Sequence, residues 1–308
     1  MFKHILVPLD GSKLAEAAVP VAASLAQTLN APVTLLHIIE QDAPQEIHKD
    51  HHITQAEEAS AYLKEIAKRG FPAQAQVDTH VHTAAVKDVP GSIVEHALME
   101  FQPDLIIMCT HGSGGVRDLL YGSIAQQVVA QGSTPLLLIK PEAETPTTFK
   151  LENILIPLDT GPVHDASLPI TQEFARAYKS NIHLLTVIPT FSTIAGETAA
   201  AGSLLPATTS ALLDIDVENA QEDLQEHLDE LKQSGLRVTA EVARGDPATE
   251  IVNIAGKLRA DMIVLTTHRK AGAAAFWARS VAPNVVRRAH IPILLIPLEE
   301  KKAVSGSD

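Results

Sequence analysis

Short apolar runs alternate along the whole chain with longer segments of helical periodicity. Ile5–Pro8 has no polar interruption, as expected of a strand covered on both faces of a parallel sheet. The segment after it places Leu14, Ala18, Leu25 and Leu29 on one helical face, with Pro20 marking a kink or a late start. Strands that alternate with helices predict βαβ units. In the first half of the chain the predicted strands are Ile5–Pro8, Val33–Ile39, Ala73–Val81, Leu105–Cys109 and Leu136–Ile139, and further helices are predicted at Thr54–Lys68, Ser92–Glu100 and Ser123–Gln131.

This pattern occurs twice. ILVPLD at Ile5–Asp10 returns 149 positions later as ILIPLD at Ile154–Asp159. DLIIMCTH at Asp104–His111 returns as DMIVLTTH at Asp261–His268, now 157 positions later. The second copy therefore contains a net insertion, to which the Ala- and Thr-rich segment Pro189–Asp216 contributes as a lid or a mobile loop.

A repeat of this length predicts a tandem architecture. The fold class we predict is α/β, with two doubly wound, Rossmann-like open parallel sheets of five strands each. The domains are expected at residues 1–142 and 151–298, joined by the polar segment Pro141–Lys150.

Open parallel sheets bind ligands beyond the carboxyl ends of their strands, where the strand order reverses. In the first copy this rule selects Asp10, Ile38 and the loop from Cys109 to Ser123, which reads CTHGSGGVRDLLYGS. Its glycines allow close backbone approach, and the following helix presents free amides to an anion. From these residues alone, a phosphate site and a flexible connection ending in a serine cap are both open.

These features together resemble the universal stress protein family, whose ATP-binding members carry G-x2-G-x9-G-[ST] after the fourth strand. The string here is Cys109-x2-Gly112-x9-Gly122-Ser123, so cysteine replaces the first glycine. The segments VPLDGS, LLHII and STPLLLI also fit the family, and the resemblance covers nearly the whole chain. It implies a fold of the adenine-nucleotide alpha-hydrolase type.

The resemblance also implies a nucleotide site in the first copy. Its ligand would be ATP, with ADP and AMP as alternatives, and Mg²⁺ would accompany ATP. Because a Cys109 side chain stands where the family has none, we expect weakened or altered binding. The implied residues are Pro8, Leu9, Asp10 and the backbone of Ile38 at the adenine and ribose end, Cys109 and His111 at the turn towards the phosphates, and Gly112, Gly122, Ser123 and Ile124 around the phosphates.

The second copy departs from the motif. Its equivalent string is Thr266-x2-Arg269-x9-Arg279-Ser280, so all three glycines are replaced. We predict a degenerate site closed by side chains, although Asp159 is retained. The alternative is that the two arginines bind a different anion in bidentate fashion.

Two groups of histidines were considered as metal ligands: His48, His51 and His52 in a polar loop, and His80 and His82 on one face of a strand. No carboxylate or thiol accompanies either group in a recognised pattern, so no metal site is predicted. The chain also lacks the G-x-x-x-x-G-K-[ST] and G-x-S-x-G motifs, and no catalytic residue is predicted.

The net charge of −13 argues against binding of nucleic acid or an anionic membrane. A single cysteine, the lack of a signal-peptide pattern and the absence of a long apolar run predict a cytoplasmic protein. The resemblance implies a regulatory stress-response protein, with a nucleotide-independent partner-binding module or a slow ATP hydrolase or phosphotransfer enzyme as alternatives. It also implies a pseudo-dimer of the two domains through Leu136–Ile139 and Ile293–Ile296, with a homodimer as a further option.

Overall fold

The computed structural model describes residues 2–47, 50–110, 123–141, 149–159, 166–194, 204–268 and 281–298. These residues form two compact units, one centred on each repeat, and both are α/β. No helix in the described ranges is both long enough and apolar enough to cross a membrane.

The first repeat contains a five-stranded parallel sheet. The order of its strands is β5-β2-β1-β6-β7, so the chain winds outward from β1 to one side and then returns to the other. This order confirms the doubly wound fold and places the reversal between β1 and β6. Its strands, together with the short antiparallel pair β3 and β4, are β1 (Ile5–Pro8), β2 (Val33–Glu40), β3 (Glu46–Ile47), β4 (Asp50–His51), β5 (Val77–Val86), β6 (Leu105–Cys109) and β7 (Leu136–Ile139).

The described residues of the first repeat also form four longer helices. The third continues directly into a π-helical turn at His96–Phe101. The helices are α1 (Ala18–Leu29), α2 (Ala56–Gly70), α3 (Val89–Glu95) and α4 (Ser123–Gln131).

Two predicted elements differ from the observed ones by three or more residues at a boundary. The third strand was expected at Ala73–Val81, but its pairing with β2 begins at Val77 and extends to Val86. Ala75 instead donates its backbone N–H to the carbonyl of Pro72 in a turn. The helix expected to begin at Ser92 begins three residues earlier, because the Asp88 carboxylate caps it by accepting from the Gly91 amide at 3.0 Å.

The second repeat has the same strand order, β10-β9-β8-β11-β12. A helix of 28 residues begins at Pro206, so the end of the insertion, Pro206–Asp216, is helical rather than a lid or loop. Residues 195–203 lie outside the described residues. The elements are β8 (Asn153–Pro157), α5 (Ser167–Tyr178), β9 (Asn181–Ile188), α6 (Pro206–Gln233), β10 (Arg237–Arg244), α7 (Pro247–Leu258), β11 (Met262–His268), α8 (Val281–Arg288) and β12 (Ile293–Leu298).

Pro20 is the third residue of α1, and Pro169 is the third residue of α5. Amides in the first helical turn have no intrahelical acceptor, so proline costs no hydrogen bond there. The late start is therefore the correct interpretation of Pro20, and a 3₁₀ turn at Ala15–Ala17 precedes α1.

One carboxylate holds the start of the first strand in each repeat. Asp104 accepts from the backbone amides of Lys3 and His4 at 2.6 and 3.1 Å. In the second repeat Asp261 accepts from the amides of Glu152 and Asn153 at 2.7 and 2.8 Å. Asp104 immediately precedes β6, and Asp261 immediately precedes β11. In each repeat these bonds therefore join the starts of two neighbouring strands that are 100 to 109 residues apart in the chain.

Candidate functional site

A cleft opens where β1, β2 and β6 end in the first repeat. It has a volume of about 620 Å³, including its open mouth. Among the described lining residues, Asp10 and Cys109 are the ones with a polar side chain, and none is basic. The lining residues are Pro8, Leu9, Asp10, Leu14, Ala15, Leu36, Ile38, Val89, Ile93, Met108, Cys109, Ile124 and Ala125.

Most of the residues predicted for the nucleotide site that the structure describes line this cleft. His111, Gly112 and Gly122 lie outside the described residues, and Ser123 is described only as the first residue of α4. The tertiary structure therefore brings together the strand-end and helix-start parts of the prediction. The residues that meet are Pro8, Leu9, Asp10, Ile38, Cys109 and Ile124.

The turn after β1 is held by Asp10. Its Oδ1 accepts from the Ser12 amide at 2.9 Å and from the Ser12 hydroxyl at 2.7 Å. The same hydroxyl oxygen accepts from the Ala15 amide at 3.1 Å. Gly11 has a φ of +91°, and a Cβ there would lie 2.8 Å from Ile53 Cδ1. The carboxylate is thus presented to the cleft by a turn that only glycine fits without strain.

Beneath this turn lies the buried imidazole of His37, 1% exposed. Nδ1 is 2.8 Å from the carbonyl oxygen of Leu9, and Nε2 is 3.1 Å from that of Ile53. Burial lowers the pKa of His37, although both carbonyls and the charge of Asp10 oppose the shift. The ring is therefore neutral at neutral pH and carries one N–H, so it donates to one of the two carbonyls at a time, in the position behind the cleft where three chain segments meet.

Cys109 is the last residue of β6 and stands at the position of the first motif glycine. Burial raises the pKa of its thiol to about 12, and the nearby charge of Asp10 acts in the same direction. The thiol is therefore protonated at neutral pH. It acts in the cleft as a small apolar group rather than as a nucleophile.

Sequence reasoning missed one wall of the cleft. Val89 and Ile93 belong to α3, which follows β5, and neither was predicted as a site residue. The sequence could have indicated this wall. In a parallel sheet β5 ends at the same edge as β1 and β2, so the helix that follows β5 must begin beside the ends of those strands. Leu14 and Ala15, between β1 and α1, were missed for a similar reason.

The second repeat reproduces one backbone contact between its first two strands. Leu158 donates to the Leu185 carbonyl at 2.8 Å, as Leu9 donates to that of Leu36 at 2.8 Å. The position of His37 is taken by Thr186, which is also buried. Asp159 is exposed, while Arg269 and Arg279 lie outside the described residues. The prediction of a degenerate site there stays a prediction.

The polar-loop histidines do not converge. His51 Nε2 lies 3.2 Å from a Glu58 carboxylate oxygen, whereas the buried His52 has Nε2 3.7 Å from Glu40. His48 lies outside the described residues. The strand histidines behave differently, since His80 and His82 both approach His96.

Comparison with known proteins matches the family model "Universal stress protein family" to residues 1–140 and 150–297. A universal stress protein of Methanocaldococcus jannaschii is 27% identical over 148 residues, covering 46% of this chain and 83% of that protein. One from Thermus aquaticus is 33% identical over 143 residues, covering 46% of this chain and all of that protein. The crystal structure of a universal stress protein from Archaeoglobus fulgidus superposes with a TM-score of 0.69 at 15% identity, covering 96% of this chain and 97% of that one, which shows the fold.

Proposed function

The chain belongs to the universal stress protein family, and on that premise we propose that its first repeat binds an adenine nucleotide, ATP, in a regulatory rather than catalytic role. One observation carries the proposal: the ends of β1, β2 and β6 and the start of α4 meet in one cleft, whose described lining residues are apolar except for one carboxylate and a protonated thiol.

The chemistry of the cleft suits the two ends of a nucleoside. Ile38, Val89 and Met108 offer apolar surface to a flat purine ring. Asp10 is the one acidic group among the described lining residues, and a carboxylate at a strand end accepts hydrogen bonds from ribose hydroxyls. The walls and the carboxylate therefore support adenine and ribose in neighbouring positions.

The phosphates would be held by backbone rather than by cationic side chains. Ile124 and Ala125 line the cleft in the first turn of α4, where backbone amides have no intrahelical acceptor. The helix dipole also favours negative charge at this end. Because no described lining residue is basic, binding should depend on these amides and on the motif glycines Gly112 and Gly122.

Cys109 is the departure from the motif. Its side chain lines the cleft where glycine would leave room, so we expect it to weaken nucleotide binding without abolishing it. Cys109→Gly restores the motif residue and should increase affinity for ATP.

The test is calorimetric titration of the full-length protein with ATP, ADP and AMP, with and without Mg²⁺. Gly122→Arg should abolish binding, because it puts the second-repeat residue at the phosphate position. Asp10→Asn keeps the oxygen that orders the turn but removes the charge, and should weaken binding about tenfold. Asp159→Asn, the equivalent change in the second repeat, is the matched control and should have no effect.

Absence of binding by the wild type, for all three nucleotides at millimolar concentration, would overturn the proposal in favour of a nucleotide-independent module. Equal binding by the wild type, Gly122→Arg and Asp10→Asn would place the site outside the first repeat. ATP turnover that is lost in Asp10→Asn would indicate an enzyme instead. The pseudo-dimer, the homodimer and the cytoplasmic location stay predictions.

A further inference from the structure

A second cluster of polar side chains lies in the first repeat, beside the cleft but outside its lining. His80 and His82 lie on β5, while His96 and Glu100 lie in the π-helical turn that continues α3. None of the four lines the nucleotide cleft. His80 and His82 pair in register with Leu36 and Ile38 of β2, which line the cleft, so the cluster lies one strand to the side of the cleft.

Three of these side chains offer ligand atoms to one point. One atom each from His80, His96 and Glu100 lie within 4.8 Å of one another. The Glu100 carboxylate is 2.7 Å from His96 Nδ1 and 3.6 Å from His80 Nδ1. In a tetrahedral zinc site, bonds of about 2.0–2.1 Å set ligand atoms ~3.3 Å apart, so only small side-chain movements are required.

The fourth side chain, His82, orients the ring of His96. His82 Nδ1 is 2.9 Å from His96 Nε2. If His96 donates its Nε2–H in this bond, its Nδ1 lone pair faces His80 and Glu100. A metal-binding histidine commonly donates its other ring N–H to a neighbouring acceptor, which sets the tautomer and the ring direction.

The rings are also held by packing. Phe101 contacts the ring of His80 edge to face at 5.1 Å and stacks on that of His96 at 5.7 Å. The cluster is still accessible, because Glu100 is exposed and His80 is half-buried.

The donor set determines the class of ion. Two imidazole nitrogens and one carboxylate oxygen suit Zn²⁺ and its neighbours among the transition metals, whereas Mg²⁺ and Ca²⁺ prefer oxygen ligands alone. Three protein ligands leave a fourth position for water.

We propose that His80, His96 and Glu100 form a binding site for a divalent transition-metal ion, with Zn²⁺ the expected occupant and His82 as a positioning residue. The site shares none of its residues with the proposed nucleotide site. The sequence by itself predicted no metal site.

The experiment uses untagged full-length protein stripped of metal with EDTA and without nucleotide. Titration with ZnCl₂ should show one tight site per chain, and Co²⁺ should produce the visible absorption bands of a four-coordinate site. His80→Gln and His96→Gln should each reduce Zn²⁺ affinity at least 100-fold. His82→Gln should reduce it about tenfold, the effect expected of an outer partner, and should retain the Co²⁺ bands.

His51→Gln is the matched control, because His51 is an exposed histidine beside a glutamate in the other histidine group. Zn²⁺ should raise the Tm of the wild type and of His51→Gln but not that of His96→Gln. Circular dichroism of each metal-free variant establishes that it is folded. No stoichiometric binding by the wild type, or equal affinity in the wild type, His80→Gln and His96→Gln, would overturn the proposal and leave the cluster as a hydrogen-bonded contact between β5 and the helical turn.

Discussion

The imidazole of His37 lies with Nδ1 2.8 Å from the carbonyl oxygen of Leu9, and so joins β2 to the end of β1 directly behind the cleft. Leu9 precedes the carboxylate that we assign to the ribose, and His37 precedes Ile38 on the neighbouring strand. The relative position of two site residues thus depends on one buried side chain. Its counterpart in the second repeat is Thr186, which is too short to make the same bridge.

Stability should depend on pH through His37. Burial lowers its pKa below the ordinary value of 6.5, so the unfolded chain takes up a proton more readily than the folded one. This contribution to stability is complete above pH 6.5 and is lost as the pH falls below it. We expect the free energy of unfolding in urea to decrease from pH 7.5 to 5.5 more steeply for the wild type than for His37→Gln. His290→Gln, a change at an exposed histidine, is the control and should show the same decrease in unfolding free energy as the wild type. If His37→Gln showed that decrease too, His37 would not be the source of the pH dependence.

Cys109 should be unreactive in the folded protein. Its thiol is half-buried beside Asp10, and its pKa is raised to about 12, so little thiolate is present at pH 8. We expect labelling by a disulfide reagent to be about 100-fold slower in buffer than in urea, because the thiol of the unfolded chain regains its ordinary pKa and forms thiolate more readily. Saturating ATP should slow labelling of the native protein further. Rapid labelling without denaturant would instead indicate an accessible thiolate with a redox role.

Gly11→Ala should destabilise the turn that presents Asp10. The φ of +91° costs an L residue about 1–2 kcal/mol, and the added Cβ would lie 2.8 Å from Ile53 Cδ1. Gly235→Ala is the matched control, because Gly235 has a φ of +79° and nothing within 4 Å of an added Cβ. The free energy of unfolding should decrease more for Gly11→Ala than for the control. In an Ile53→Ala background, the difference between the two losses of unfolding free energy should become smaller. If that difference were unchanged, the contact with Ile53 would not be its cause.

Asp246→Ala should lower the free energy of unfolding by about 1 kcal/mol, because it removes the cap of α7. The carboxylate accepts from the Thr249 amide at 3.0 Å and lies 3.3 Å from Arg288 Nη1. Hydrogen bonds from Thr249 lower the pKa of Asp246, so its contribution is present above pH 3.8 and is lost below it.

Asp246→Ser retains a capping oxygen and should keep most of the stability at pH 7, as measured by urea unfolding. If the serine variant were as unstable as the alanine variant, the ion pair with Arg288 rather than the cap would be the main contribution.

The amino-acid sequence by itself determined the tandem repeat, the parallel sheet and the bounds of its most buried elements. The predicted limits of β1, β6, β7 and α4 agree with the structure to the residue. Each of these strands is an uninterrupted apolar run, because both faces are covered and the pattern ends where burial ends. Ligands of open parallel sheets bind beyond the carboxyl ends of the strands, and this rule together with the family motif also identified Asp10, Ile38 and Cys109 as residues of the cleft.

The tertiary structure alone decided what depends on pairing between distant segments. β5 lies at the margin of its sheet with partly exposed side chains, so its limits follow from its hydrogen bonds to β2 rather than from its own pattern. The same crossover brings Val89 and Ile93 to the cleft, and His96 and Glu100 to His80. In the chain, H-x-H and H-x3-E are two separate and common spacings. Only packing of the helix against the strand makes them one cluster, because side-chain distances across a crossover are set by the fold and not by local periodicity.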